Sequence, residues 1–557
     1  MDLTKTFKSL REIVDYCAAE YAERVAFRIK QKGIKGAKAT YHDVTYAMMG
    51  DDIKALATYF AHNGLEGKRI VVVGDNCYEW IVGYLATVSS GAIFVPLDKN
   101  LPPHELEGLL ERSEAECIVY GKQFAEQVAK YSHKARLICM TDGVAAAIAE
   151  GNKLIAEGST VYRDTVIDEK AMSVLLFTSG TTSKSKAVML SQYNIASNIN
   201  DLTVSEKFYD DDVYLALLPF HHVFGLVGMT LFLRLGLLTA FCEGLRVAKA
   251  LKEYRITVLV LVPLVIESMY RQIERTVKKQ GKEKVLRIGL ALSRFLMKFN
   301  IDIRKKLFGA IHKELGGGLR FIISGGAALR PELSKWFNDI GILTVQGYGL
   351  SETAPVVAAE RDDFIRPGSI GKPMPSGDVR IDNPDSDGIG EIVVRGDNVM
   401  LGYLGEPEMT AEVIRDGWFY TGDMGYIDRD GFIFITGRKK DVIVLSNGKN
   451  VFPDEIEQLV GTLPYVSECL VFEYERDTLG VNVVYNTDYF DGKDSDFINK
   501  TVTDDIVAVN KRLVSYKRLK TVFVSDQPMI KTSTAKIKRV PSIEKIKAES
   551  KPVYSAK

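Results

Sequence analysis

The stretch Phe177-Thr178-Ser179-Gly180-Thr181-Thr182-Ser183-Lys184-Ser185-Lys186-Ala187-Val188-Met189-Leu190-Ser191 continues a short apolar run, 174–177, that reads as a buried strand. Thr178, Ser179, Thr181, Thr182 and Ser183 place five hydroxyls before Lys186, and Ser185 adds a sixth. A strand that runs into a small, donor-rich loop with two ammonium groups suits a polyphosphate. Its oxygens take backbone N–H groups, hydroxyls and point charges. The loop is not a Walker A motif, because no Gly-Lys-Ser/Thr stands at the required spacing from Gly180. Taken alone, the same composition also describes a solvated Ser/Thr-rich loop.

Working outward, strand-like runs alternate with helical patterns on both sides. Strands are predicted over 70–74, 92–97 and 117–120, with a helix over 80–88. The pattern returns at 173–177, 213–218, 258–262, 319–323 and 343–345. Apolar strands separated by helices predict a large α/β N-terminal domain built on doubly wound parallel sheets. Between 368 and 437 short strands, such as 391–394 and 432–435, are spaced by Gly, Asp and Pro turns. That texture predicts a small β-barrel-like subdomain. After the polar break Gly437-Arg438-Lys439-Lys440-Asp441, strands at 442–445, 469–472 and 481–485 mix with helices at 455–461 and 505–513. They predict a small, mobile α+β C-terminal domain. The expected division is 1–439 and 440–557, hinged at Lys440.

A chain of 557 residues is too long for one core, in keeping with two domains. A formal net charge of zero makes no overall case for nucleic acid as a partner. Cys17, Cys77, Cys117, Cys139, Cys242 and Cys469 are scattered without a CxxC pair, so neither a zinc site nor a disulfide framework is expected, and a reducing cytoplasm fits. The N-terminal segment carries acidic residues rather than an apolar signal core. The most membrane-like run, 223–241, contains Arg234 and three glycines. It predicts a buried helix and turn, not a span. Two stretches are strongly basic: 270–320, with fourteen Lys/Arg against four Asp/Glu, and 511–551, with twelve against three. Solvated helix faces explain either one, and so does attraction to an anionic surface or cofactor.

Later motifs add chemistry. Gln346-Gly347-Tyr348-Gly349-Leu350-Ser351-Glu352-Thr353 follows a strand and offers an aromatic face, two glycines and a carboxylate. Tyr420-Thr421-Gly422-Asp423 offers an acceptor for ribose hydroxyls, with Arg438 fifteen residues on. Pro528-Met529-Ile530-Lys531-Thr532-Ser533-Thr534-Ala535-Lys536-Ile537-Lys538-Arg539 puts a lysine in a short loop ahead of a basic segment. Read singly, each is equally a structural turn or a surface residue.

In this order the motifs resemble the adenylate-forming superfamily of acyl-CoA synthetases, non-ribosomal peptide adenylation domains and luciferases. The long-chain fatty acid–CoA ligase branch is the most similar, over about residues 27–539. The resemblance implies ATP-dependent conversion of a fatty acid to acyl-AMP with release of pyrophosphate, then transfer to the thiol of coenzyme A. It implies that Thr178, Ser179, Gly180, Thr181, Thr182 and Lys186 close on the β- and γ-phosphates. Gly325, Gly326 and Ala327 would line adenine, with Gln346, Gly347, Gly349 and Ser351 nearby and Tyr348 stacked on the base. Glu352 and Thr178 would hold Mg²⁺, Asp423 would bind ribose, and Arg438 ribose or phosphate. Lys536 would bridge the substrate carboxylate and the α-phosphate. A swing about Lys440 would then exchange Lys536 for Ser446, Asn447, Gly448 and Lys449, which would line the coenzyme A tunnel.

Leu218-Pro219-Phe220-His221-His222-Val223-Phe224-Gly225 bears on the acid. Amino-acid-activating members of the superfamily carry an aspartate in this region for the substrate ammonium; aromatics and a histidine pair stand here, which favours a plain carboxylic acid. His221, or its neighbour His222, would close the site over the acyl group. The apolar run and the basic insert point to a long chain, with a helix over 285–299 suited to docking on an anionic membrane. An acyl carrier protein is the alternative acceptor, and a catalytically silent nucleotide- or acyl-binding protein the alternative class. Four positions depart from the family pattern: Ser183, Ser185, Ala187 and Ala535 stand where glycine or proline is usual. A left-handed backbone there would cost about 1 kcal/mol.

Overall fold

The computed structural model describes residues 2–31, 40–178, 185–242, 247–446, 449–531 and 537–556. Two mixed sheets form the large domain. In the seven-stranded sheet, Met172–Thr178, Ile93–Leu97, Arg69–Val73, Cys117–Tyr120 and Arg136–Cys139 run parallel. Lys186–Ser191 turns back antiparallel on Met172–Thr178, and Gly402–Tyr403 adds to its free edge. In the nine-stranded sheet the parallel centre runs Leu343–Gly349, Phe321–Ser324, Val258–Leu261, Val213–Ala216, Leu238–Phe241, Val25–Lys30. Antiparallel strands close both of its edges.

The period-2 alternation of a strand decides which layer each side chain enters. Ile70 and Val72 face the space between the sheets, whereas Val71 and Val73 pack into an outer core. Val258 and Val260 face the same inner space, and Leu259 and Leu261 the outer core of the other sheet. Helices fill the middle layer. Trp80, on Tyr78–Ser89, sits 5.4 Å from Phe94 of one sheet and 5.2 Å from Phe220 at the edge of the other, ring centre to ring centre. Strands buried on both faces need no polar alternation, which is why they read as continuous apolar runs.

The segment 377–438 forms a five-stranded antiparallel sheet curled around the long strand Trp418–Ile427. Hydrogen bonds from Ile370 N to Ile433 O (2.8 Å) and from Ile433 N to Gly371 O (2.9 Å) tie it back to the large domain. The smaller C-terminal domain carries the four-stranded sheet Val466–Glu475, Thr478–Tyr485, Leu519–Ser525, Tyr554–Ser555, with its own core. Pro453–Val460 and Ser495–Asn510 cover one face and Arg539–Glu549 the other.

Some boundaries differ from the sequence reading. The helix expected at 505–513 runs over Ser495–Asn510, started by the Asp494 side chain accepting from Phe497 N at 2.8 Å. The strand expected at 442–445 shrinks to Ile443–Val444, and Leu519–Ser525 was not anticipated. The run 223–241 is a helix, Val223–Arg234, a turn at Gly236 (φ +69°) and a strand, Leu238–Phe241. Arg234 is fully buried and donates to the Asp2 carbonyl (2.6 Å) and the Lys5 carbonyl (3.1 Å). Among the described residues no helix is long and apolar enough to cross a membrane. All six cysteines are free thiols.

Just past the helix Gln192–Ser205, the Glu206 carboxyl is pushed up to about 8, by burial first and then by the nearby Asp362 carboxylate. An unfolded glutamate titrates near about 4.3. Between those values the folded protein holds a proton that the unfolded chain has lost, so this group's contribution to stability falls as pH rises through the window. Glu206→Gln should therefore melt with the wild type near about pH 5 and about two degrees or more above it near about pH 9. Parallel plots of Tm against pH would contradict this.

Candidate active site

A cavity of about 3190 Å³ opens where the two large sheets, the curled sheet and the C-terminal domain meet. The carboxyl ends of Met172–Thr178, Phe321–Ser324 and Leu343–Gly349 point into it, the usual place for a ligand in an α/β sheet. Thr178 and Lys186 are register partners at the end of an antiparallel pair. Lys186 therefore lies on a strand rather than in the loop where the sequence reading put it. Its Nζ is 3.4 Å from the Tyr403 hydroxyl and 4.7 Å from the centre of that ring. The same hydroxyl donates to Glu352 Oε1 at 2.9 Å. Burial, and then the Glu352 charge, hold the Tyr403 phenol well above its ordinary range, so it stays a donor. Tyr403 links the two predicted phosphate and metal residues, and no motif around it announced this.

Glu352 stands on a short turn, Ser351–Thr353, that leaves Gly349. A Cβ on Gly349 would fall 1.9 Å from the Pro355 carbonyl oxygen, which is why glycine is required there. Tyr348 lines the cavity, and its hydroxyl donates to the Asp423 carboxylate. Burial first, then Asp423, push that phenol up. Asp423 faces Arg438 across two paired strands, with Arg438 Nε 2.7 Å from Asp423 Oδ1. Tyr348, Asp423 and Arg438 thus form one chain of contacts, in which Tyr348 and Arg438 line the cavity and the buried Asp423 lies behind them. Gly325, Gly326 and Ala327 also line the cavity. A Cβ on Gly325 would meet the Phe224 ring at 2.7 Å, and Gly326 has φ +82°.

Gly347 and Ser351 reach the cavity wall, but Gln346 is spent on the scaffold. Its Oε1 accepts from Leu329 N (2.6 Å) and its Nε2 donates to the Ser369 carbonyl (2.7 Å). Beneath it, the buried Glu360 carboxyl accepts from Gln346 N (3.0 Å) and Arg366 N (2.8 Å), and burial pushes it up to about 7.

On the other side, Asn76 clamps the histidine motif. Its Nδ2 donates to the Leu218 carbonyl at 2.7 Å and its Oδ1 accepts from Phe220 N at 3.2 Å. His221 Nε2 lies 3.4 Å from Asp98 Oδ1, and the His221 and His222 rings are 4.2 Å apart. Ligand atoms of Asp98, His221 and His222 fall within 4.8 Å of one another, a set able to hold a metal ion. Behind this motif the wall turns apolar, with Val227, Leu231 and Phe232 on one helix facing Leu202 and Phe208.

From the C-terminal domain, Lys531 and Ile537–Arg539 line the cavity. Lys531 bridges to Ile537, and Lys531 Nζ pairs with Glu468 Oε1 at 2.5 Å. Arg539 Nη1 pairs with Glu457 Oε1 at 2.9 Å. These contacts close the base of the predicted lysine loop at the cavity mouth. Lys440 lines the mouth too. Burial, with Arg438 and Lys186 nearby, pushes its ammonium down despite Asp441. Ser446 and Lys449 are held away from the cavity wall. Ser446 N donates to Asp477 Oδ1 (2.6 Å), and Lys449 Nζ sits 4.4 Å over the Tyr516 ring. Ser179, Gly180, Thr181, Thr182, Ser183, Asn447, Gly448, Ala535 and Lys536 lie outside the described residues.

The family model for AMP-binding enzymes matches residues 14–404, and that for the AMP-binding enzyme C-terminal domain matches 440–557. The chain is 29% identical to a long-chain-fatty-acid–CoA ligase of Mycobacterium bovis, over 81% of this chain and 78% of that one. It is 26% identical to a chloroplastic long-chain-fatty-acid–[acyl-carrier-protein] ligase of Arabidopsis thaliana, over 99% of this chain and 87% of that one. The fold matches ATP-bound MatB from Rhodopseudomonas palustris with a TM-score of 0.75 and 24% identity, over 97% of this chain and 99% of that one. The chain belongs to the AMP-binding enzyme family and is an adenylate-forming enzyme of the AMP-forming acid–CoA ligase class.

Proposed function

We propose that the protein activates a long-chain fatty acid with ATP and passes the acyl group to coenzyme A. The observation that carries the choice of acid is the apolar wall between Leu202 and Phe232, which continues the cavity behind His221. A chain of methylenes gains about 0.8 kcal/mol for each one buried there. The one carboxyl on this stretch of wall among the described residues, Glu206, is pushed up by burial and so favours the neutral form over a counter-ion.

In the first step a carboxylate oxygen bonds to the α-phosphorus, the bond from that phosphorus to the β-bridging oxygen breaks, and pyrophosphate leaves. The nucleophile is already ionised, so the step needs charge neutralisation and alignment rather than a general base. Lys186, with Thr178 and the hydroxyl-rich residues that follow it, holds the β- and γ-phosphates. Tyr348 stacks on adenine, and its hydroxyl keeps Asp423 oriented toward the ribose while Arg438 balances the charge. Lys536 spans the carboxylate and the α-phosphate. Thr178 and the Glu352 oxygen not bonded to Tyr403 fit Mg²⁺, which takes few protein oxygens beside phosphate and water and supplies charge neutralisation when bound. His221, oriented by Asp98, closes the acyl side. In the second step the thiol sulfur bonds to the acyl carbon, AMP leaves with the electron pair of the broken C–O bond, and the thiol proton passes to water. The C-terminal domain, residues 440–557, turns about Lys440 so that Ser446, Asn447, Gly448 and Lys449 line the thiol's path.

A second reading keeps the adenylate and changes the acceptor to the thiol of an acyl carrier protein. The carrier-protein ligase aligned over 99% of this chain favours it. Product formation with free coenzyme A and with holo-carrier protein separates the two.

Acid-dependent exchange of labelled pyrophosphate into ATP tests the proposal. Palmitate should support exchange far better than acetate or an aromatic acid, whereas no exchange with any acid would indicate a silent binding protein. Lys536→Ala should lower adenylate formation about 10² to 10³-fold, yet leave thioester formation from supplied acyl-AMP near wild type. Equal loss of both half-reactions would remove the assigned role. Asp423→Asn should raise the KM for ATP about tenfold to a hundredfold, since a charged hydrogen bond is lost. An unchanged KM would place ribose elsewhere.

A further inference from the structure

Asp98, His221 and His222 bring three metal-ligating side chains to one part of the cavity wall, and none of them is among the groups assigned to ATP or Mg²⁺. Asp98 follows the strand Ile93–Leu97, and the histidines stand at the turn into the helix Val223–Arg234. That turn is held firmly: Asn76 grips it through Leu218 and Phe220, and His222 N donates to the Pro219 carbonyl at 3.2 Å. The Asp98 and His221 side chains are only 10% and 8% exposed. Asp98 Oδ1 accepts from Asn100 N at 2.8 Å, which orients the carboxylate. Yet the buried His221 Nε2 makes no hydrogen bond, and at 3.4 Å from Asp98 Oδ1 it stands outside the usual range for one. A buried polar atom left in that state costs free energy. An ion shared between the imidazole and the carboxylate would satisfy it.

Two imidazole nitrogens and a carboxylate oxygen suit Zn²⁺, Co²⁺ or Ni²⁺, and three protein ligands leave a coordination position open. Mg²⁺ prefers oxygens throughout, so Thr178 and Glu352 remain its place. We infer that Asp98, His221 and His222 bind a divalent transition-metal ion of the zinc type, and that the bound ion shuts out the acid. All three residues line the cavity at the head of the apolar wall that Val227, Leu231 and Phe232 continue. An ion there engages His221, the side chain assigned to closing over the acyl group, and sets charge at the entrance to that wall. Binding of the ion is independent of the function proposed above, and exclusion of the acid rests on it.

Titration of the chelator-treated full chain with Co²⁺ tests the inference, because Co²⁺ takes the same ligands and reports them by visible d–d absorption. The absorption should saturate at one equivalent per chain and be displaced by Zn²⁺. Asp98→Asn and His222→Gln should each weaken Co²⁺ binding by more than about tenfold, the loss that follows even from removing a ligand's own hydrogen-bond partner. Zn²⁺ should raise the Tm of the wild type and of neither variant. Glu352→Gln should bind Co²⁺ as the wild type does. Co²⁺ binding unaffected by the first two variants, or sulfur-to-cobalt charge transfer from a free thiol in place of the d–d signal, would overturn the inference. In pyrophosphate exchange with Mg²⁺ in excess, Zn²⁺ should raise the KM for the acid and leave that for ATP unchanged. A raised KM for ATP alone would place the ion at the phosphates and overturn the exclusion of the acid. Co²⁺ binding by these three residues in a protein silent in pyrophosphate exchange would leave the metal site standing and remove the proposed reaction instead.

Discussion

Bringing a carboxylate onto a triphosphate forces like charges together, and the cavity wall is organised around that constraint. Lys186, Arg438 and Lys440 supply positive charge, and Glu352 and Asp423 are held in fixed relation to it. Each is positioned by a residue from another element: Tyr403 joins Lys186 to Glu352, and Tyr348, at the end of the parallel strand Leu343–Gly349, is joined to Asp423. Phenols do this well in a partly buried site. They add no charge, and with their titration pushed upward they donate across the working pH range. Arranged before the ligand arrives, such dipoles and charges cost little reorganisation during the reaction.

The scaffold explains how groups so distant in sequence converge. Parallel strands deliver their carboxyl ends to one edge, so Thr178, Ser324 and Gly349 arrive together although 171 positions separate the first from the last (349 − 178). The curled sheet then folds over that edge and brings Asp423 and Arg438 as register partners. Loss of a single residue of register would break their pairing, because the side-chain period is two.

Much of this was legible in sequence because the parallel strands are buried on both faces and read as unbroken apolar runs. The motif carrying Glu352 and the residue Thr178 sit at strand ends, where glycines and polar residues interrupt those runs, while Asp423 lies within the strand Trp418–Ile427 next to Gly422. Tyr403, Asp98, Asn76 and Glu360 were not legible. Each acts through a partner more than a dozen positions away, as Tyr403 does on Glu352 and Asn76 on Leu218. A lone tyrosine after a glycine carries no local signal of that pairing. The strand Lys186–Ser191 escaped for a different reason: its polar start, Lys186, looks like loop until the antiparallel pairing with Met172–Thr178 is seen. Gln346 shows the reverse error, a motif residue whose side chain serves the scaffold while its neighbours face the cavity.

The placement of the C-terminal domain carries a mechanical consequence. The bridge Lys531–Ile537 stands at the cavity mouth, while Ser446 and Lys449 are tied to Asp477 and Tyr516 of the same domain, off the cavity wall. The two sets belong to one packed body, so one cannot approach the cavity by local rearrangement alone without giving up core contacts. Under the function proposed above, rotation of the whole domain would exchange them more cheaply. Contacts that would have to break include Arg271 to the Val466 carbonyl, Arg330 to the Gly461 carbonyl and the exposed pair Arg275–Asp488. All are polar, and water replaces such partners readily once they separate. Between the two domains the chain makes a short polar turn, Lys439–Asp441, with Lys439 held to Glu391 and Lys440 in a site that disfavours its charge. Under the proposed turn about Lys440, a cation disfavoured in this arrangement would favour leaving it, and phosphate charge in the cavity would favour the return.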